Sequence, residues 1–350
     1  MQLVDVGGHF GRCARGLPMT KKPTILVTGG AGYIGSHVCK ALHQSGVVPV
    51  TLDNLSTGHQ QAVNWGPLEV GDVRDENFVA EIMIRHKVTA VLHFAAMALV
   101  GESAMRPREY YDNNLNGTLS LVAAMERCGI SRIVFSSTCA VYGVPDTLPI
   151  EETETKRPIN VYGRTKLAAE NFLTDMAATG VIRTVMLRYF NAAGADAGGE
   201  IGEAHATETH LVPLAVQAVL QPNRPLSVFG DDYPTADGTC ERDYVHVEDL
   251  ADAHLRALTF LETHGGSRAF NLGTGQPVSV REVIRAVERA LGAKVPTIES
   301  PRRVGDPPRL FAARGLAERD LGWVATRSDI DNIVTSAARW HRSKVFSEAV

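Results

Sequence analysis

The chain has 350 residues, 44% of them hydrophobic, and a formal net charge of −4. That length and apolar share can bury a large core in one or two domains. The slightly acidic balance, without any basic run, gives no footing for nucleic acid or an anionic membrane surface. The longest apolar stretch, residues 90–100, is too short for a bilayer and contains His93. Five scattered cysteines (Cys13, Cys39, Cys128, Cys139, Cys240) read as reduced thiols of a cytoplasmic protein, not as a disulfide frame.

Thr24-Ile25-Leu26-Val27-Thr28 predicts a short buried strand. It runs into Gly29-Gly30-Ala31-Gly32-Tyr33-Ile34-Gly35, and a helix is expected from Ser36. This is the strand, glycine turn and helix of a dinucleotide site. Gly29 permits the tight turn, Gly32 lets the backbone approach a pyrophosphate, and Gly35 lets the helix sit close on the strand. The helix N-terminus then offers free N–H groups to the diphosphate. The next strand, 47–52, ends in Asp53, an acid placed to suit two ribose hydroxyls and to repel a 2′-phosphate, so NAD is favoured over NADP. Asp53 also reads as a turn cap, and both readings stay open.

Further strands are expected at 90–94, 133–136 and 184–188, with helical runs at 111–128 and 162–178. Such alternation predicts an α/β fold with a doubly wound parallel sheet. After Gly194, glycine, proline and polar residues dominate up to Thr239, as in a capping region.

Two features carry chemistry. Tyr162 and Lys166 are four residues apart, so on a helix they share a face. A phenol titrates near ~10, and a neighbouring ammonium favours its phenolate. The pair therefore offers a tyrosine able to accept a proton, although the spacing alone also describes a surface pair. The second is the apolar run Ile133-Val134-Phe135, which ends in Ser136-Ser137-Thr138, hydroxyls at the strand end where ligands bind in open α/β sheets.

In this order the glycine turn, Thr138 and Tyr162-x-x-x-Lys166 resemble the extended short-chain dehydrogenase/reductases. More finely, the chain is similar to the UDP-glucose 4-epimerases (UDP-galactose 4-epimerases). The resemblance rests on Asp53-Asn54-Leu55, His93-Phe94-Ala95-Ala96, Val100-Gly101-Glu102-Ser103, Tyr111-Asp112-Asn113-Asn114, Arg188-Tyr189-Phe190-Asn191, Asp232-Tyr233-Pro234-Thr235, Arg242-Asp243-Tyr244 and Arg302-Arg303-Val304-Gly305-Asp306. It extends from about Pro23 to the end.

The resemblance implies catalysis by Tyr162, Lys166 and Thr138. Tyr162 would take the 4-hydroxyl proton, Lys166 would hold the nicotinamide ribose and depress the tyrosine pKa, and Thr138 would bond the same oxygen. It implies an NAD site of Gly29, Gly32, Tyr33, Ile34, Gly35, Asp53, Asn54, Asp72, Val73, Phe94, Ala95, Ala96, Asn113, Ser136 and Tyr189, with Tyr162 and Lys166. It implies that Asn191, His210, Leu211, Phe229, Arg242, Arg303 and Asp306, with Thr138 and Tyr162, hold the UDP-sugar. Guanidinium forks suit a diphosphate, though the arginines also read as ordinary surface charge.

The implied reaction is NAD-dependent oxidation at C4, rotation of the 4-keto sugar and reduction from the other face, interconverting UDP-galactose and UDP-glucose. The alternatives are 4-epimerisation of another UDP-sugar (UDP-GlcNAc/GalNAc or UDP-xylose/arabinose), a nucleotide-sugar 4,6-dehydratase and a non-catalytic NAD-binding protein. Dehydratases place an Asp-Glu pair after the strand-end threonine, where this chain has Cys139 and Ala140. Where some members have a lysine near the diphosphate this chain has Ala98, where many have Asn-Asn-Leu it has Thr209-His210-Leu211, and where strict UDP-glucose enzymes have a tyrosine four residues after Asp306 it has Leu310. His210 also reads as a packed or solvent histidine. His205, Glu208 and His210 lack metal-site spacing on any assignable element, so no metal is expected.

The expected organisation is a disordered extension over 1–20 and an NAD domain over 21–194, to which 244–270 return. A UDP-sugar domain is expected over 195–243 and 271–350. The family resemblance implies a cytoplasmic homodimer through a bundle formed by the helices at Tyr111 and Tyr162.

Overall fold

The computed structural model describes residues 22–303 and 305–343. The expected extension over 1–20 lies outside the described residues. Seven strands form one parallel sheet: β1 (Thr24–Thr28), β2 (Val48–Asp53), β3 (Leu68–Val70), β4 (Ala90–His93), β5 (Arg132–Thr138), β6 (Arg183–Tyr189) and, later in the chain, β11 (Ser267–Leu272). Their order is β11-β6-β5-β4-β1-β2-β3. The winding reverses between β1 and β4, where Thr28 pairs with His93, and in such sheets ligands bind at the carboxyl edge beside that reversal. The inner strands are buried on both faces, as their valine- and isoleucine-rich runs require.

Helices cover both faces. They are α1 (Tyr33–Gln44), α2 (Glu76–His86), α3 (Val100–Met105), α4 (Pro107–Tyr111), α5 (Gly117–Arg127) and α6 (Val161–Ala178). One hydrophobic core packs α2, α5 and α6 against the sheet through Val79, Leu121, Ala169 and Leu173. The opposite core packs α1 and α8 (Val247–Thr263) through Val38, Leu42, Leu250 and Ala257. Residues 247–263 thus pack back onto the main sheet beside α1.

The second region contains more regular structure than its composition suggests. It holds α7 (Leu211–Leu220), α9 (Val280–Leu291) and α10 (Ile330–Ser343), packed through Val212, Val216, Val283, Val287 and Ile333. Short strand pairs complete it. β7 (Asn191–Ala193) pairs with β10 (Tyr244–His246), and β8 (Leu226–Phe229) with β13 (Thr297–Ser300). β9 (Glu241–Arg242) lies between β12 (Val278–Ser279) and β14 (Arg309–Leu310). Asp243 ties these pieces to the main sheet. Its carboxylate accepts hydrogen bonds from Thr274 N (2.8 Å), Thr274 Oγ1 (2.6 Å), Gly275 N (3.0 Å) and Ala312 N (3.1 Å).

The expected helix over 111–128 is present: α4 runs on into α5 through a π-turn at Asp112–Asn116. Asn114, inside the π-turn, accepts from Met97 N (2.8 Å) and donates to Met97 O (3.0 Å) and Thr165 Oγ1 (3.0 Å). The widened turn accompanies these tertiary bonds.

Beneath the carboxyl edge lies a buried ion pair. Arg188 on β6 donates from Nε (2.8 Å) and Nη2 (2.6 Å) to Glu170 on α6, and Ser137 donates to the same carboxylate (2.5 Å). Both charged side chains are 3% exposed. Glu170→Ala leaves Arg188 buried without a counter-charge, and the expected cost is about 3–5 kcal/mol. The urea-unfolding midpoint reads that loss, and an unchanged midpoint would refute the role.

Candidate active site

The glycine turn leaves β1 with Gly29 at φ +74°, a conformation glycine adopts without penalty. A Cβ there would lie 2.6 Å from Ala95 N. A Cβ on Gly35 would lie 2.2 Å from Gly29 O, so α1 packs on the turn only because position 35 is bare. Gly32 is the N-cap residue of α1 and supplies no side-chain cap, leaving the helix N-terminal N–H groups for a ligand. A cavity beside the turn is lined by Gly32, Tyr33, Ser36, His59, Ala204 and His205. Tyr33 donates to Gly194 O (2.6 Å), and Ile34 packs on the core behind the turn.

Asp53 closes β2 at the same edge and accepts from Ala31 N (3.0 Å) and Leu55 N (2.9 Å). It therefore serves as the turn cap, and its carboxylate also stands at the strand end that suits a ribose. Burial raises its pKa, and the two backbone bonds oppose that shift. Asn54 donates to Asp72 (3.4 Å), and Arg74, bonded to that carboxylate, holds it down at about 2. Val73 is buried against Gly117. Phe94, Ala95 and Ala96 follow β4, with Phe94 N bonded to Thr28 O (2.8 Å). Asn113 donates to Asn114 Oδ1 (3.0 Å), which joins it to the π-turn network. The bare backbone at 29 and 35, the uncapped helix end and the acid at 53 fit a dinucleotide.

The hydroxyl residues at the end of β5 meet the start of α6. Asn160 caps α6 by accepting from Gly163 N (2.7 Å), which sets Tyr162 in the first turn. Tyr162 is half-buried, and burial pushes its phenol up to about 12, opposed by a hydrogen bond with the Thr138 side chain. Lys166 is 3% exposed. Its Nζ donates to Ser136 O (2.8 Å) and sits 4.8 Å from the Phe135 ring centroid. Burial pushes this lysine down to about 7, with Glu170 opposing. Ser136 Oγ and Tyr189 Oη are hydrogen-bonded, and burial raises the Tyr189 phenol pKa. His93, buried between Thr28 Oγ1 (2.7 Å) and Thr118 Oγ1 (3.1 Å), is pushed down to about 3 by burial and then by Lys166. It is neutral and fixes the floor beneath the reversal.

The expected sugar-binding residues fall into two groups. Arg242 on β9 is bonded to Asp306, and the Arg303 guanidinium lies 4.1 Å from the Phe229 ring centroid. Asn191 starts β7, its N–H bonded to Asp243 O (2.9 Å). Leu310 and Cys139 both pack against the small core that contains Phe190 and Tyr142. Burial pushes the Cys139 thiol up to about 12, so it is protonated and a poor proton shuttle. Leu211 opens α7. His210 is drawn elsewhere: its Nδ1 faces Glu203 and Glu208. Ala98 is exposed. Asn114 and Asp243 stood in the sequence only as members of longer runs. No local signal marks their bonding, which joins residues far apart in the chain.

A doubly wound sheet whose switch point carries a bare glycine turn and a tyrosine–lysine pair defines a nucleotide-dependent enzyme of the dehydrogenase type. The model of the NAD dependent epimerase/dehydratase family matches residues 25–273. The UDP-glucose 4-epimerase of Rhizobium leguminosarum bv. trifolii is 50% identical over 318 residues, 91% of this chain and 97% of that protein. Two solved structures are similar throughout. The UDP-glucose 4-epimerase from Brucella ovis in complex with NAD has TM-score 0.88 and 51% identity, covering 90% of this chain and 97% of that one. The enzyme from Stenotrophomonas maltophila with bound NAD and formylated UDP-arabinopyranose has TM-score 0.89 and 44% identity, covering 94% and 100%. The chain belongs to the NAD dependent epimerase/dehydratase family.

The lysine has a thermodynamic signature. Unfolded, it titrates near ~10.4, so between about 7 and that value the unfolded chain holds a proton that the folded chain lacks. Stability contributed by this group therefore rises with pH through that window. Urea midpoints of nucleotide-free protein across the window are expected to climb more steeply than those of Lys166→Met. Parallel curves would refute the shift.

Proposed function

We propose that this chain interconverts UDP-galactose and UDP-glucose as an NAD-dependent 4-epimerase, with the roles below assigned to its own residues. The carrying observation is the meeting of Thr138, Tyr162 and Lys166 at the sheet's carboxyl edge, beside the glycine turn. NAD, when bound, supplies the hydride acceptor and donor at C4. Gly29, Gly32 and Gly35 let the diphosphate approach the N-terminus of α1, and Asp53 receives the adenosine ribose. Tyr162 takes the proton of the sugar 4-hydroxyl and returns it after the sugar has turned over. Burial outweighs the Thr138 hydrogen bond and holds that phenol near 12, so a nearby cation, such as the nicotinamide ring of bound NAD, is needed to bring it into working range. Lys166 holds the nicotinamide ribose. Thr138 shares a hydrogen bond with the same oxygen, orienting the substrate alcohol.

Arg242 and Arg303 provide donors for the UDP diphosphate. The Arg242–Asp306 pair and the stacking on Phe229 keep both guanidinium groups in place. Anchored at UDP, the 4-keto sugar can present either face while the residues around it stay fixed. Dehydration is disfavoured because Cys139 and Ala140 carry no working acid or base. Leu310, a smaller side chain than the tyrosine that the resemblance has there, supports a second reading, tolerance of a bulkier 2-substituent such as an N-acetyl group.

We also propose a cytoplasmic homodimer. No described helix is long and apolar enough to cross a membrane. On α3–α5, Val100, Met105, Tyr111 and Leu119 are exposed, apolar surface of the kind that association covers. Light scattering is expected to give twice the chain mass, and a monomer at micromolar concentration would refute the dimer.

Offered UDP-galactose without added NAD, the purified protein is expected to form UDP-glucose with deuterium at C4 retained. Tyr162→Phe should lower turnover by about 10²–10⁴-fold while keeping bound nucleotide. Loss of the C4 deuterium to solvent, or unchanged turnover in Tyr162→Phe, would overturn the reading. UDP-GalNAc and UDP-arabinose in the same assay decide the substrate range.

A further inference from the structure

Between the glycine-turn cavity and α7, the irregular segment 203–210 gathers four side chains that the reaction above does not use as a set. Glu203, His205, Glu208 and His210 bring one ligand atom each to within 4.8 Å of one another. The separations are His205 Nδ1–Glu203 Oε1 3.2 Å, His205 Nδ1–Glu208 Oε2 3.7 Å, His210 Nδ1–Glu208 Oε1 3.2 Å and His210 Nδ1–Glu203 Oε1 2.6 Å. A tetrahedral zinc with ~2.0–2.1 Å bonds sets its ligand atoms about 3.3 Å apart. Three of these four nitrogen–oxygen separations lie near that value and the fourth is shorter; Glu208 faces His205 with Oε2 and His210 with Oε1, so one of its oxygens would serve as the ligand.

A second observation points the same way. Glu203 is 3% exposed, and its Oε1 lies 2.6 Å from His210 Nδ1 and 3.2 Å from His205 Nδ1 without hydrogen-bond geometry to either. A buried carboxylate oxygen facing two imidazole nitrogens needs something electropositive between them, either imidazolium protons or a shared cation. The surroundings hold the set in place. Trp340 Nε1 donates to Glu203 O (2.8 Å), His59 Nε2 is bonded to Ala204 O (2.6 Å), and His205 stands edge-on to Tyr33, with ring centroids 6.5 Å apart. A Cβ on Gly202 would lie 2.4 Å from the Trp340 ring.

We propose that Glu203, His205, Glu208 and His210 bind one divalent transition-metal ion, zinc by preference, as a structural clip. Two carboxylates and two neutral imidazoles neutralise a dication, and this mixed nitrogen and oxygen set suits zinc better than magnesium or calcium. The ion closes the segment 203–210 on itself. It thereby fixes one wall of the glycine-turn cavity and the start of α7, and it takes no part in proton or hydride transfer. The competing arrangement has no ion, with two protonated imidazoles balancing the two carboxylates.

The test uses the full-length, tag-free chain, dialysed against a chelator and then titrated with zinc and, separately, with cobalt(II). One zinc per chain by elemental analysis and a tetrahedral cobalt absorption band are expected. Affinity should fall at least tenfold in Glu203→Gln and His205→Ala. Metal at less than one per chain, or affinity equal in the parent and both variants, would overturn the proposal. Should either variant fail to fold, the parent's cobalt spectrum decides alone, and absence of the tetrahedral band overturns it.

Discussion

Everything at the carboxyl edge depends on a close approach of backbone to backbone. Helix α1 can rest on the first turn only while positions 29 and 35 lack a Cβ, since either added carbon would enter a neighbouring main-chain atom. That contact fixes the start of α1 relative to β1 and β4, and with it the direction in which the free N–H groups point. Asp53 reinforces the same geometry by bonding Ala31 N, so the acid at the second strand helps shape the turn that follows the first.

The Tyr162–Lys166 pair is held by opposing electrostatic demands. Burial disfavours the charged form of Tyr162 and of Lys166 alike. The protein offsets this with local groups: the Ser136 carbonyl and the Phe135 ring face at the ammonium, the Thr138 hydroxyl at the phenol. Deeper still, Glu170 joins α6 to Ser137 and Arg188, so the helix carrying both residues is locked against the strand carrying Thr138.

Much of this was legible in the sequence because the informative segments are local. The glycine turn, Asp53 and the tyrosine–lysine spacing each state their geometry within one or two elements, and five of the seven sheet strands followed from short apolar runs, β3 and β11 being missed. The helical run over 111–128 was legible, but not the π-turn within it, because Asn114 bonds Met97 and Thr165, which no window around 114 reveals. The two-residue strands β9, β12 and β14 were equally hidden, since they exist by tertiary pairing around Asp243. His205, Glu208 and His210 were noticed, but Glu203 was not. On an irregular segment no period announces which side chains converge.

Asp243 limits how the molecule can breathe. One nearly dry carboxylate collects four donors from two distant segments, 274–275 after the last sheet strand and 312 after β14. Drawing those segments apart would strand that charge in a poor solvent, so the seam they form resists opening.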